Sequence, residues 1–136
     1  MSLSYQLKKS FVLVALSSAV AAFPLAALAD VSVEIKTAET HAGFSAQATN
    51  IQEAHTHLHH TLNCLVGPGG NGFDKTALNP CNGNGNGIIP DTADATKKAA
   101  LEQLAAEARA GLASNDLATV KKDAADIEAK LKSMSS

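Results

Sequence analysis

Apolar residues recur along much of this chain at alternating spacings of three and four, the period of one face of an α-helix. The first series ends at Gly67-Pro68-Gly69-Gly70, a typical stop signal for a helix. Its members are Phe44, Ala48, Ile51, His55, Leu58, Leu62 and Leu65. This series predicts one long first helix over 37–66. Before it, Val31, Val33 and Ile35 alternate with polar residues, which favours an extended lead-in.

Two further series predict the other helices. The second helix is expected at 92–113, with Asp91 or Thr92 as its N-cap, and the third at 115–134, opened by Ser114 or Asn115. Their apolar positions are Leu101, Leu104, Ala108 and Leu112 in the second helix, and Leu117, Val120, Ala124, Ile127, Leu131 and Met134 in the third. Each helix has one apolar stripe and cannot bury it alone. The sequence therefore predicts an all-α, antiparallel three-helix bundle, with dimerisation as a further way to cover the stripes.

The first 29 residues have the organisation of a secretory signal peptide. Lys8 and Lys9 precede an apolar stretch over 10–22, and Ala27-Leu28-Ala29 offers small residues before Asp30. Pro24 interrupts the apolar region, which is short for a membrane span of about 20 residues; an uncleaved anchor is the weaker alternative. We therefore expect a signal peptide at 1–29, a single helical domain at 30–136, and a periplasmic or secreted protein.

Charge and motif content argue against several classes of function. Without Lys8 and Lys9, nine basic residues face 13 acidic ones, a net charge of −4. No basic patch is interleaved with aromatic residues, so neither nucleic acid nor a membrane surface is expected as a partner. The sequence contains neither a serine nucleophile elbow nor a phosphate-cradling Gly-x-x-x-x-Gly-Lys motif. We therefore expect no enzymatic activity and no catalytic residues.

The two cysteines, Cys64 and Cys81, both fall in the part expected to be exported. An even number of cysteines in an oxidising compartment predicts a disulfide. The bond would clip the stretch 67–91, which is rich in glycine, asparagine and proline and is predicted to be an irregular loop.

All five histidines lie within the predicted first helix, at His41, His55, His57, His59 and His60. His55 and His59 are one helical turn apart, the spacing with which two imidazoles can chelate one metal ion. His57 and His60 form a second pair on another face and could assist. On one straight helix, His41 would lie about 21 Å from His55 at 1.5 Å per residue, too far to share the ion. The expected ion is copper, zinc or nickel, with Glu53, Glu102, Glu107 and Asp94 available as further ligands.

Four other interpretations compete with this metal site. The histidines could be ordinary core and surface residues, or they could sense pH, since imidazoles titrate near neutrality. Haem is disfavoured because Cys-x-x-Cys-His is absent, although His55 could ligate a non-covalent haem. The run from Asn82 to Ile89 resembles the front of an EF-hand or dockerin calcium loop. However, Asn82 replaces the first aspartate and Ala93 occupies the position of the bidentate acid, so a structural turn is favoured over calcium.

Residues 58–91 carry a recognisable block: Leu58-His59-His60-Thr61-Leu62-Asn63-Cys64-Leu65-Val66-Gly67-Pro68, then Gly72-Phe73-Asp74 and Asn79-Pro80-Cys81. This block resembles a signature of uncharacterised exported bacterial helical proteins, a resemblance that implies no activity. More loosely, the chain is similar to small periplasmic metal-binding helical bundles that carry histidines. We therefore expect a non-enzymatic binding protein for a transition metal. The alternative is a helical protein that interacts with an envelope protein or with itself, and whose histidines are incidental.

Overall fold

The computed structural model describes residues 30–135, and the predicted signal peptide at 1–29 lies outside them. The all-α expectation is confirmed. The described helices are α1 (Val31–Gln47), α2 (Ile51–Val66), the single-turn α3 (Ile88–Asp91), α4 (Ala95–Ala113) and α5 (Leu117–Met134). None of the helices in this part of the chain combines the length and apolar character needed to cross a bilayer.

The first helix predicted over 37–66 is two helices in the structure, because the chain turns sharply between Gln47 and Ile51. Asn50 adopts an extended conformation, and its side chain accepts a hydrogen bond from the Glu53 amide at 2.9 Å. The Glu53 carboxylate reaches back to the Thr49 amide at 2.9 Å. This reciprocal arrangement is close to a capping box, which satisfies amides that a continuing helix would otherwise pair.

After the turn, α2 returns along α1. Ser45 Oγ donates to the carbonyl of Ala54 at 2.8 Å, and Thr61 Oγ1 contacts the carbonyl of Ala38 at 3.4 Å. Contacts therefore pair later residues of α2 with earlier residues of α1. This reversal places residues that are distant in sequence on facing helix surfaces.

Val31, Val33 and Ile35, predicted to be extended, are helical in the structure because Asp30 caps α1 before them. Its carboxylate accepts from the Val33 amide at 3.2 Å and thereby caps α1, which begins at Val31. The helices α4 and α5 also begin after an aspartate, Asp94 for α4 and Asp116 for α5. The sequence had placed these N-caps one to three residues earlier.

The core lies where α1, α2, α4 and α5 meet. Buried side chains recur every three or four residues along each helix: Ile35, Ala38, Ala42 and Ser45 of α1, Ala54, Leu58, Leu62 and Leu65 of α2, Leu101, Leu104 and Ala108 of α4, and Val120, Ala124, Ile127 and Leu131 of α5. The α1 stripe is made of small residues and differs from the predicted one. Phe44, which the prediction placed in the seam, is 48% exposed.

The predicted disulfide between Cys64 and Cys81 is confirmed, with both residues buried. A second anchor for the connecting segment is Asn63, whose side chain is fully buried. Its amide nitrogen donates to the carbonyls of Asp74 at 2.9 Å and Leu78 at 3.2 Å, and its oxygen accepts from the Asp74 amide at 2.9 Å. One side chain of α2 thus satisfies several backbone groups of the loop.

Two glycines bring the ends of this segment together. Gly67 and Gly87 both have positive φ, 67° and 116°. A Cβ on Gly67 would lie 1.7 Å from the Asn86 carbonyl oxygen, so no side chain fits there. Beyond Gly87, the end of the predicted loop forms α3. The Gly87 amide donates to Oε1 of the buried Glu34 at 3.2 Å, which ties the segment to α1.

Candidate metal centre

Three imidazoles converge between α1 and α2. His41 comes from α1, and His57 and His60 come from α2, one turn apart. One nitrogen from each ring lies within 4.8 Å of the others. The capped turn at Asn50 makes this possible, because it folds α2 back until its second and third turns face His41.

Spacing of the ring nitrogens is suited to a shared ion. His41 Nδ1 lies 3.4 Å from His57 Nδ1 and 3.3 Å from His60 Nδ1. A neutral Nδ1 carries either one hydrogen or one in-plane lone pair, so it cannot form good hydrogen bonds with two partners at once. A cation at their common point accepts a lone pair from each ring and removes this conflict.

Electrostatics also favour the neutral, ligating forms of these rings. Burial lowers the pKa of His41 from 6.5 to about 4, and the neighbouring His60 and His57 contribute to the shift. Burial lowers the pKa of His60 as well, with further contributions from His57 and His59. Since a metal binds the unprotonated imidazole, His41 and His60 need not lose a proton at neutral pH before they bind.

The pair predicted to chelate, His55 and His59, is not part of this group. His55 Nε2 lies 2.9 Å from the Ser114 carbonyl, and because a carbonyl only accepts, this nitrogen must carry the hydrogen. His59 Nδ1 is shielded from solvent without a hydrogen-bond partner, 3.8 Å from Asp74 Oδ2. Both rings instead line a groove of about 560 Å³ beside the loop at 76–78.

Most of the carboxylates offered as further ligands have structural partners. Glu53 binds Thr49, Asp94 caps α4, and Glu107 accepts two hydrogen bonds from Lys130. Glu102 lines a different groove, together with Arg109. The converging group is therefore made of three imidazoles.

The run with calcium-loop character forms turns. Asn86 donates to both carboxylate oxygens of Asp91, through its backbone amide at 2.6 Å and its side chain at 3.0 Å. The Asn84 amide donates to the Cys81 carbonyl at 3.0 Å. The acidic group closest to this run in sequence is therefore occupied in closing the turn.

The sequence interpretation excluded His41 from an ion shared with His55, and it did not anticipate that His41 meets His57 and His60. The 21 Å separation followed from one straight helix, whereas the chain reverses between His41 and His57. The signal that could have revealed the reversal was Asn50-Ile51-Gln52-Glu53, the N-cap and N3 pattern of a new helix. The continuous three-four series across the turn concealed it.

No protein-family model, curated protein or solved structure matches this chain. Both resemblances noted in the sequence therefore remain predictions, and the functional argument depends on the geometry of the site.

Proposed function

We propose that this chain is a small exported, non-enzymatic protein that binds one transition-metal ion through His41, His57 and His60. The observation that carries the proposal is the convergence of three ring nitrogens from two helices to within 4.8 Å. Zinc, copper and nickel are the ions for which imidazole is a common ligand. The proposal keeps the predicted class of function and replaces the predicted pair His55 and His59 with another set of ligands.

Two further observations support the proposal. The lowered pKa of His41 keeps that imidazole neutral at physiological pH, and neutral imidazole is the form that ligates metals. The disulfide and the absence of a spanning helix within residues 30–135 are compatible with a secreted protein. Both cysteines are held in the disulfide, so nitrogen ligands decide the metal preference.

The direct test is thermal unfolding of the purified domain with and without metal. An ion that binds only the folded state stabilises it by about 2.7 kcal/mol at a hundredfold excess over Kd. For a domain of this size the melting temperature should rise by roughly 10 °C. The chelator EDTA should reverse the rise. A melting temperature that stays constant in excess Zn(II), Cu(II) and Ni(II) would refute the proposal.

Matched alanine variants identify the ligands. His41→Ala, His57→Ala and His60→Ala should each abolish most of the metal-dependent rise, because each removes one of three ligands. His55→Ala and His59→Ala are the controls on the same helix and should retain it. The opposite pattern would support the pair predicted from the sequence. That prediction expects His41→Ala to leave the metal-dependent rise nearly unchanged.

A second candidate function is interaction with an envelope protein through the groove that His55 and His59 line. Leu78, which lines this groove, is 61% exposed and offers an apolar contact there. A photo-crosslinker at position 78 should then give one adduct of defined mass in intact cells, and Leu78→Asp should weaken the partner's binding. Crosslinking at position 78 that gives no discrete adduct would count against this candidate.

A further inference from the structure

The three-histidine group has a buried side and a solvent-facing side. His60 is 9% exposed, whereas His41 and His57 are only half-buried. The His60 ring lies 5.0 Å from that of His41 and 5.5 Å from that of His57, centroid to centroid. His60 therefore forms the inner wall of the group.

Phe44 lies on the solvent-facing side of the three-histidine group. Its ring centroid is 5.6 Å from that of His41, in an edge-to-face arrangement, and 5.2 Å from that of His57. Among the ring contacts of residues 30–135, Phe44 contacts these two histidines but not His60. Phe44 and His60 thus flank opposite sides of the His41–His57 pair, and the 48% exposure of Phe44 places it toward solvent.

Spacing of the nitrogens distinguishes coordination geometries. With metal–nitrogen bonds of about 2.0–2.1 Å, neighbouring ligands in a tetrahedron are about 3.3–3.4 Å apart, whereas adjacent ligands in an octahedron are about 2.8–3.0 Å apart. The measured separations from His41 Nδ1 are 3.4 Å and 3.3 Å. These two separations match tetrahedral spacing, and the ligating nitrogens of His57 and His60 lie within 4.8 Å of each other.

We infer that the three-histidine group is a four-coordinate site, with Phe44 shielding its outer side, that takes Zn(II) in preference to Ni(II). This inference rests on the proposed function. Zn(II) completes a tetrahedron with one small ligand such as water, whereas six-coordinate Ni(II) needs three. The Phe44 ring packs against the rings of His41 and His57, and in this inference it limits the room for those additional ligands.

The ordinary affinity order makes this preference informative. Ni(II) and Zn(II) differ little in most nitrogen sites, and selection between them is achieved by geometry. A site that merely collected imidazoles would bind both ions. A site constrained to four ligands should favour Zn(II), and removing the constraint should reduce the preference without removing a ligand.

Co(II) is a suitable probe, because its visible absorption is intense in tetrahedral and weak in octahedral coordination. The wild-type domain loaded with Co(II) should show the intense tetrahedral bands. Phe44→Ala should still bind Co(II), but with weaker bands, because the opened space admits additional ligands. Val33→Ala, a second exposed apolar residue of α1, is the matched control and should behave as wild type.

Competition between Zn(II) and Ni(II) supplies a second measurement. Wild type should prefer Zn(II) by about tenfold or more, and Phe44→Ala should lose most of that preference because the added ligand positions suit octahedral ions. Weak, octahedral bands in wild type, or an unchanged Phe44→Ala, would overturn the inference while leaving metal binding intact. Failure of the wild type to bind Zn(II) while Cu(II) or Ni(II) still binds would also overturn the inference alone, whereas failure to bind Zn(II), Cu(II) and Ni(II) would overturn the proposed function.

Discussion

At the scale of single residues, the half-buried His41 and the buried Glu34 of α1 respond to pH in opposite directions. The pKa of His41 is lowered to about 4, chiefly by burial. The pKa of Glu34 is raised by burial, with the negative charges of Asp91 and Asp30 adding to the effect. Its Oε2 is buried without a hydrogen-bond partner, so the neutral acid is the form that suits this environment.

His41 should make the metal-free protein less stable in acid. Between pH 6.5 and about 4 the unfolded chain protonates this histidine while the folded protein does not, so the free energy of unfolding decreases as the pH falls through that range. Urea unfolding in EDTA at several pH values would measure the loss, and His41→Gln should show a smaller one. Parallel curves for the two proteins would contradict the assignment.

Glu34 should produce the opposite trend. Its folded-state pKa lies above the usual 4.5, so the stability that the protonated acid contributes is lost as the pH rises above that value. Glu34→Gln remains neutral and keeps an oxygen for the Gly87 amide. The variant should therefore gain stability relative to wild type as the pH increases from 4 to 8, in the same urea assay. A difference independent of pH would show that Glu34 is ionised in the folded state.

At the scale of elements, the turn between α1 and α2 determines whether the histidines meet. Asn50→Ala removes the side-chain cap of α2 and should cost about 1 kcal/mol of stability, whereas Asn50→Gly should cost only a few tenths. Asn50→Asp retains the acceptor oxygen and is the matched control. Denaturant unfolding measures all three. A neutral Asn50→Ala would mean that packing alone, rather than the cap, fixes the turn.

The sequence predicted helices better than it predicted where one helix ends and the next begins. For the last two helices it gave 92–113 and 115–134, and the structure has Ala95–Ala113 and Leu117–Met134. The stripe of α4 contains leucine, that of α5 contains valine, isoleucine and leucine, and a short turn joins the two helices. In the first half, the stripe of α1 consists of small residues such as Ala38 and Ala42, which a hydrophobic pattern barely registers.

The site was less predictable than the fold for a related reason. A helical spacing such as that of His55 and His59 describes neighbours on one helix, whereas the converging group joins two helices across a turn. His57 and His60 were among the candidate ligands, but their partner His41 depended on a reversal that local periodicity does not encode. Phe44 was assigned to the core seam. Its contact with His57 also followed from the reversal, whereas its contact with His41 joins residues three apart on α1.

At the scale of the whole molecule, the loop that begins at Gly67 is held to the helices at several points. Among them are the disulfide, the side chain of Asn63 and the contact between Gly87 and Glu34. His57 and His60 face α1 from the same helix that carries Asn63 and Cys64. The loop and the three-histidine group are thus attached to α2 at neighbouring turns, and His60 also lines a groove together with loop residues 76–78.

Removing the disulfide should therefore reduce the stability of the fold substantially but leave the affinity for metal nearly unchanged. The bond joins residues 17 apart in sequence, and closing a loop of about 15 residues contributes about 3 kcal/mol, mainly by restricting the unfolded chain. The double variant Cys64→Ala/Cys81→Ala should lose about that much in denaturant unfolding. Below its own melting temperature, it should still bind Zn(II) within a few fold of wild type, because His41, His57 and His60 are held by the capped α1–α2 turn. Asn63→Ala with the disulfide intact removes the second anchor of the loop and serves as the control, measured in the same two assays. A collapse of Zn(II) affinity in the folded double variant would show that the loop, and not the turn alone, positions the histidines.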